Sequence, residues 1–331
     1  MTIDACFHGR QVLITGGLGF IGSTLARRLL RCGAQVTVVD SLIPEYGGNL
    51  FNVRDVRRRL RVNISDVRDP FALRHLMKDH EYLFNLAGQT SHLDSMHDPE
   101  TDLEINCKAQ LSILETCRLV NPAIRVVFAG TRQVYGRPDH LPVDESHPVR
   151  PVDVNGINKT AGEWYHLLYS SAYGVRCSVL RLTNTYGPRM RVRDARQTFL
   201  GMWLRNVLQG EPIPLYGDGR QLRDFNYVDD VVEALMRAAA SDRAVGRIYN
   251  LGGTEVLALR DLAAMLVEIH GAGSVRLVPF SDEARRIDIG DYYGDFRRIE
   301  SELGWRPRVR LRTGLRRCLA YYRRHGGEYW G

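Results

Sequence analysis

A doubly wound parallel α/β sheet with a smaller, interleaved mixed α/β lobe is the fold class predicted by the 331-residue sequence. Three observations predict it. Six strand-like apolar runs alternate with helix-like segments, the first run ends in three spaced glycines, and the alternation becomes irregular after Arg181. The runs are VLIT, VTVVD, LRVNI, YLFNLA, IRVVFAG and CSVLRLT. Strands buried on both faces read as unbroken apolar stretches, and each parallel neighbour requires a helical crossover.

The first run continues as QVLITGGLGFIG, placing Gly16, Gly19 and Gly22 between a strand and an amphipathic helix over 23–31. In this Rossmann-type arrangement Gly16 permits a tight turn, Gly19 lets backbone approach a pyrophosphate, and Gly22 allows close helix–strand packing. The helix N-terminus then faces the negative charge. Asp40 closes the second run, where its carboxylate would accept the hydroxyls of an adenosine ribose. A 2′-phosphate would meet Asp40 as a like charge, so the expected dinucleotide is NAD rather than NADP.

Beyond Arg181 the reading is NTYGPRM, a helix near 197–209, and short strands around IPLYG and RDFNYV. Helices follow at 229–241 and 258–270, with a strand at RIYNLG between them. Because 222–252 looks sheet-like again, two lobes interleave. Residues 1–185 plus about 222–252 are expected to bind the dinucleotide, and about 186–221 plus 253–331 to form the substrate lobe.

Composition narrows the function classes. With 44% hydrophobic residues the chain can bury a full core, and no apolar run approaches a membrane span. The N-terminus lacks the apolar centre of a signal peptide, so a cytoplasmic location is expected. Six scattered cysteines without close pairing argue against a metal site and a disulfide framework. The net charge of +7 comes from arginine clusters at 54–61, 189–196 and 306–324, without the interleaved aromatics of a nucleic-acid platform. A small anionic substrate accounts for part of that excess.

Further motifs continue along the whole chain: DVRD at 66–69, NLAGQ at 85–89, Asn106, VYG at 134–136, Lys159, RLTNTYGPR at 181–189, RDFNYVDDV at 223–231, YNLGG at 249–253 and LGWRP at 303–307. With the glycine loop, these resemble the extended short-chain dehydrogenase/reductase family and its NAD-dependent nucleotide-sugar epimerases, dehydratases and decarboxylases. The resemblance implies cofactor contacts from Gly16, Gly19, Phe20, Ile21, Gly22, Asp40, Asp66, Val67, Leu86, Ala87, Gly88 and Lys159. It assigns the adenine to Asp66 and the nicotinamide ribose to Lys159. For the nucleotide-sugar it implies Asn184, Arg223 and Arg286, since an arginine fork donates several bonds to phosphate oxygens in a fixed plane. His92 and Ser95, in TSHLDSMHDP, are expected to reach the sugar.

The family's catalytic set is a Ser or Thr, a Tyr, and a Lys four residues later. Thr131 and Lys159 match, but Asn155 stands at the tyrosine position, one helical turn before Lys159. An amide bonds hydroxyls without titrating, so another group must move the proton. The candidates are Tyr135, His92, Asp153 and Tyr165, while Asp153 also suits a helix cap.

Dehydratases of the family commonly carry an Asp–Glu pair after the threonine, and decarboxylases of UDP-glucuronate a Glu. Arg132 and Gln133 stand here, and neither shuttles protons at neutral pH. Epimerisation of a nucleotide-sugar, with a UDP-sugar favoured, therefore leads through a transient keto-sugar. A dehydratase or decarboxylase with rearranged acid–base groups, and a silent module that binds NAD and sugar nucleotide, remain the alternatives. By the resemblance, a homodimer forms through helices at about 101–118 and 155–172.

Overall fold

A computed structural model describes residues 2–330. The strands are β1 (Gln11–Thr15), β2 (Gln35–Asp40), β3 (Leu60–Ile64), β4 (Tyr82–Asn85), β5 (Arg125–Thr131) and β6 (Arg176–Leu182). They continue as β7 (Asn184–Tyr186), β8 (Ile213–Tyr216), β9 (Leu222–Tyr227), β10 (Ile248–Asn250), β11 (Val256–Ala258) and β12 (Val275–Val278). Seven of them form one parallel sheet in the order β10-β6-β5-β4-β1-β2-β3. All six strands expected in the first half are present, and β10 extends the sheet. The chain winds from β1 outward to β3 and then returns to β4 on the other side of β1. This reversal opens a crevice at the carboxyl ends of β1 and β4, where doubly wound sheets bind ligands.

Alternation of side chains along each strand fills two layers. Val12 and Ile14 of β1 and Val127 of β5 join a core with Leu25, Leu29, Val231, Leu235 and Trp305. Leu13 and Val126 point the other way, into a core with Leu73, Leu83, Leu114 and Tyr169. Helices Phe20–Arg31 and Val228–Ala240 cover the first face, and Pro70–Met77, Ala109–Val120 and Val154–Tyr173 the second.

The later chain builds its own core around Tyr186, Leu200, Trp203, Ile213, Phe225, Leu262 and Leu315. It is framed by β11-β9-β7, by β12-β8, and by helices Phe199–Gln209, Leu259–His270 and Leu311–His325. The segment 222–252, read as one sheet-like unit, divides between lobes: β9 joins the three-stranded sheet and β10 the central one. Among the described residues no helix is long and apolar enough to cross a membrane.

Candidate active site

A cavity of about 580 Å³ occupies the crevice. At one end the glycine loop closes against β4. Gly16 has φ +66°, and a Cβ on Gly22 would lie 2.2 Å from the Gly16 carbonyl, so both positions require glycine. Thr15, ending β1, accepts the backbone N–H groups of Leu86 (3.1 Å) and Ala87 (3.2 Å) through Oγ1, which fixes that edge of the cavity.

Asp40, ending β2, is buried. Its Oδ2 accepts Leu18 N–H and its Oδ1 accepts Leu42 N–H, each at 2.9 Å. Burial raises its pKa, and the backbone donors oppose that shift. Asp66 reaches the cavity from the loop after β3, its carboxylate held by Arg68 at 2.7 Å.

Lys159 lies on Val154–Tyr173 with its ammonium under the cavity floor. It donates only a long 3.3 Å bond to the Ala129 carbonyl and sits 5.0 Å above the Phe128 ring. Burial pushes its pKa down to about 8, against the attraction of Asp102. Beside it, the buried Oδ1 of Asn106 has no partner. Spare lysine donors, an orphan amide oxygen and the Asp40 carboxylate fit the hydroxyls of a dinucleotide. All twelve expected cofactor positions, Gly16, Gly19, Phe20, Ile21, Gly22, Asp40, Asp66, Val67, Leu86, Ala87, Gly88 and Lys159, line the cavity.

Thr131, ending β5, lines the cavity beside Asn155. The buried Asn155 amide is fixed by its nitrogen, which donates to Gln89 O and to Asp102 Oδ2, both at 2.9 Å. Among the described residues no hydrogen bond engages its oxygen, which leaves an acceptor at the cavity wall. Behind it the fully buried Asp102 also accepts from Asn106 (3.0 Å) and Asn158 (2.8 Å). Asn106 lies in a single π-turn, Glu104–Lys108, between Pro99–Leu103 and Ala109–Val120, a distortion common at functional sites. Asp102 went unnoticed in the sequence; its signal was an acid one helical turn before Asn106 on the same face.

Four of the expected residues lie off the cavity. Tyr135 does not line the cavity: its hydroxyl donates to Asn250 Oδ1 and accepts from Arg181, each at 2.6 Å, and burial pushes its pKa up to about 12. Ser95 lies beneath the wall, donating to His92 O (2.7 Å) and accepting Asn155 N–H (3.2 Å). Arg223 is spent on the Leu222 and Gly290 carbonyls outside the cavity, and burial lowers its pKa to about 10. Arg286 is exposed at the end of the short helix Asp282–Arg286.

His92 and Asn184 do line the cavity, together with residues 195–199 of the second lobe. Arg132 joins them. One terminal nitrogen donates to Asn184 Oδ1 at 3.3 Å, and the guanidinium lies 5.1 Å from the Tyr292 ring centre. Gln133 instead turns inward to Asp153 at 2.7 Å.

Residues 12–252 match the NAD dependent epimerase/dehydratase family. A dTDP-glucose 4,6-dehydratase of Streptomyces griseus is 33% identical over 324 residues, 95% of this chain and 94% of its own. A UDP-glucose 4-epimerase of Mycolicibacterium smegmatis is 31% identical over 318 residues, 95% and 98% of the two chains. A dTDP-glucose 4,6-dehydratase from Streptomyces venezuelae, solved with NAD bound, superposes with a TM-score of 0.88 at 30% identity, covering 96% of this chain and 98% of that one. The glycine loop, the Asp40 carboxylate, the buried Lys159 and these full-length similarities make the chain a member of the NAD-dependent epimerase/dehydratase family, whose cofactor is NAD.

Proposed function

We propose that the protein is a nucleotide-sugar epimerase, with UDP-sugars as the favoured substrates. The observation that carries this reading is the loop after Thr131. Elimination of water needs a positioned acid and base, but Arg132 faces the cavity as a cation and Gln133 is an amide turned toward Asp153. The carboxylates lining the cavity are Asp40 and Asp66 at the dinucleotide end and Asp94, which Arg196 holds at 3.2 Å. Epimerisation requires only that a hydroxyl lose and regain a proton while its carbon inverts.

NAD, when bound, supplies the acceptor and donor of hydride at that carbon. Thr131 hydrogen-bonds the reacting oxygen, the Lys159 ammonium holds the ribose and stabilises developing negative charge, and Asn155 Oδ1 accepts from a neighbouring hydroxyl. Residues 1–185 with β10 hold NAD, and β9 with about 186–221 and 253–331 closes over the nucleotide-sugar, in the cytoplasm. Proton NMR with NAD and a panel of UDP-hexoses and UDP-glucuronate tests the reading. A new isomer of the same nucleotide-sugar is expected. Loss of water or carbon dioxide would move the assignment to a dehydratase or decarboxylase, and binding without turnover to a silent module.

Two further outcomes follow from the same reading. Tyr135→Phe is expected to keep sugar-dependent reduction of bound NAD but to lower stability by about 1–3 kcal/mol in urea titrations, because Arg181 and Asn250 each lose a buried partner. The protein is also expected to be a homodimer. Ile157, Trp164 and Leu168 share one exposed face of Val154–Tyr173, with Trp164 60% exposed, and Leu103 and Leu119 lie exposed on the neighbouring helical stretch. Contiguous apolar surface of this kind marks association. Light scattering should give twice the chain mass at micromolar concentration, and a Trp164→Glu/Leu168→Glu variant should run as a monomer; a monomeric wild type would refute the assembly.

A further inference from the structure

We propose that His92, oriented by Asp153, is the group that moves the substrate hydroxyl proton in place of the absent tyrosine. The inference rests on the epimerase reading and names the residue that reading leaves open. Of the four candidates, Tyr135 is committed to Arg181 and Asn250, and Tyr165 packs among the apolar side chains of the second layer. His92 lines the cavity, and Asp153 lies directly behind it.

The pair has the proximity that an oriented base needs. Nδ1 of His92 lies 3.0 Å from Asp153 Oδ2, is closed to solvent and makes no hydrogen bond among the described residues. The approach falls outside hydrogen-bond geometry, and the proposed role requires the ring to turn into line with Oδ2. The Asp153 side chain is fully buried and fixed from two other sides: Oδ1 accepts Gly156 N–H at 2.6 Å and Oδ2 accepts the Gln133 amide at 2.7 Å. A carboxylate so held selects the tautomer with the proton on Nδ1 and leaves the Nε2 lone pair free. The imidazole side chain is 36% exposed, and no hydrogen bond from the described residues engages Nε2.

The ring is also tied to the rest of the site. Ser95 Oγ joins the His92 carbonyl to the Asn155 N–H, so the histidine is anchored to the first turn of the helix that carries Asn155 and Lys159. Gln133, which cannot serve a dehydratase, acquires a use here by holding Asp153.

In the step itself, Nε2 would take the hydroxyl proton, and NAD, when bound, would supply the hydride acceptor at the same carbon. The alcohol becomes a ketone, and the imidazole an imidazolium balanced by Asp153. Return of the proton from Nε2, with hydride supplied to the opposite face, would regenerate the alcohol with inverted configuration. Asp153 is a positioning residue and bonds no substrate atom.

Two measurements on the full-length, NAD-loaded protein test the assignment. In stopped flow, reduction of bound cofactor by a UDP-hexose, followed at 340 nm, is expected to slow by about 10²–10⁴-fold in His92→Gln, with nucleotide-sugar affinity changed less than threefold. In ¹⁵N-histidine NMR, with His92 identified by its absence from that variant, Nε2 is expected to be the bare nitrogen, and Asp153→Asn to shift the proton toward it. A His92→Gln variant that reduces its cofactor at the wild-type rate, or a wild type with the proton on Nε2, overturns the role of His92 alone. A wild type that reduces its cofactor with none of the sugars overturns the epimerase reading and the proton transfer together.

Discussion

Replacing Lys159 by methionine is expected to slow sugar-dependent reduction of bound NAD by about 10²–10³-fold, the usual cost of removing a donor aimed at developing charge, while making the protein more stable. The two effects have one cause. The ammonium is buried with a single 3.3 Å bond to the Ala129 carbonyl, so it is poorly compensated until a ligand arrives. Methionine matches the aliphatic stem and relieves that burial, for a gain of about 1–3 kcal/mol by analogy with apolar replacement of other buried charges.

The pH dependence has a definite sign. Burial lowers the folded-state pKa to about 8 from 10.5, with Asp102 opposing. Between these values the unfolded chain holds the extra proton, so wild-type stability gains from this group as pH rises from about 8 to 10.5. The variant lacks that gain. Activity that needs the ammonium should decline above pH 8. Stopped flow and urea titrations at pH 7 and 9 measure both, and a Lys159→Met enzyme that is fully active or markedly less stable would contradict the assignment.

The second large effect is expected at Asp102. Asp102→Leu removes the acceptor of the buried Asn158 amide and one of the acceptors shared by Asn106 and Asn155, which keep Gln89, at a cost of about 1–3 kcal/mol, the range for leaving a buried donor unpaired. Asp102→Asn should cost less, because its oxygen can still accept two of the three. Catalysis should suffer in both, since Asp102 fixes which end of the Asn155 amide meets the cavity. Urea midpoints compare the variants, and a leucine variant within 1 kcal/mol of wild type would show that the cluster is not a structural keystone.

The amino-acid sequence by itself determined the parallel sheet, the glycine loop and the spacing of Asn155 from Lys159. Each depends on local rules: apolar strands with helical crossovers, a glycine with positive φ, and side chains one helical turn apart. Tertiary structure decided what each polar group faces. Tyr135 and Arg181 are 46 residues apart, Asp102 and Asn155 are 53 apart, and Asn155 and Ser95 are 60 apart. Such contacts follow from how the crossover helices and loops pack on the sheet, which no short-range period encodes. For the same reason Tyr135, Ser95, Arg223 and Arg286 match motifs in the chain yet lie off the cavity, whereas Arg132 lines it and Asp102 braces it from behind. Buried polar groups must be paired, and only the folded chain determines which partners are within reach.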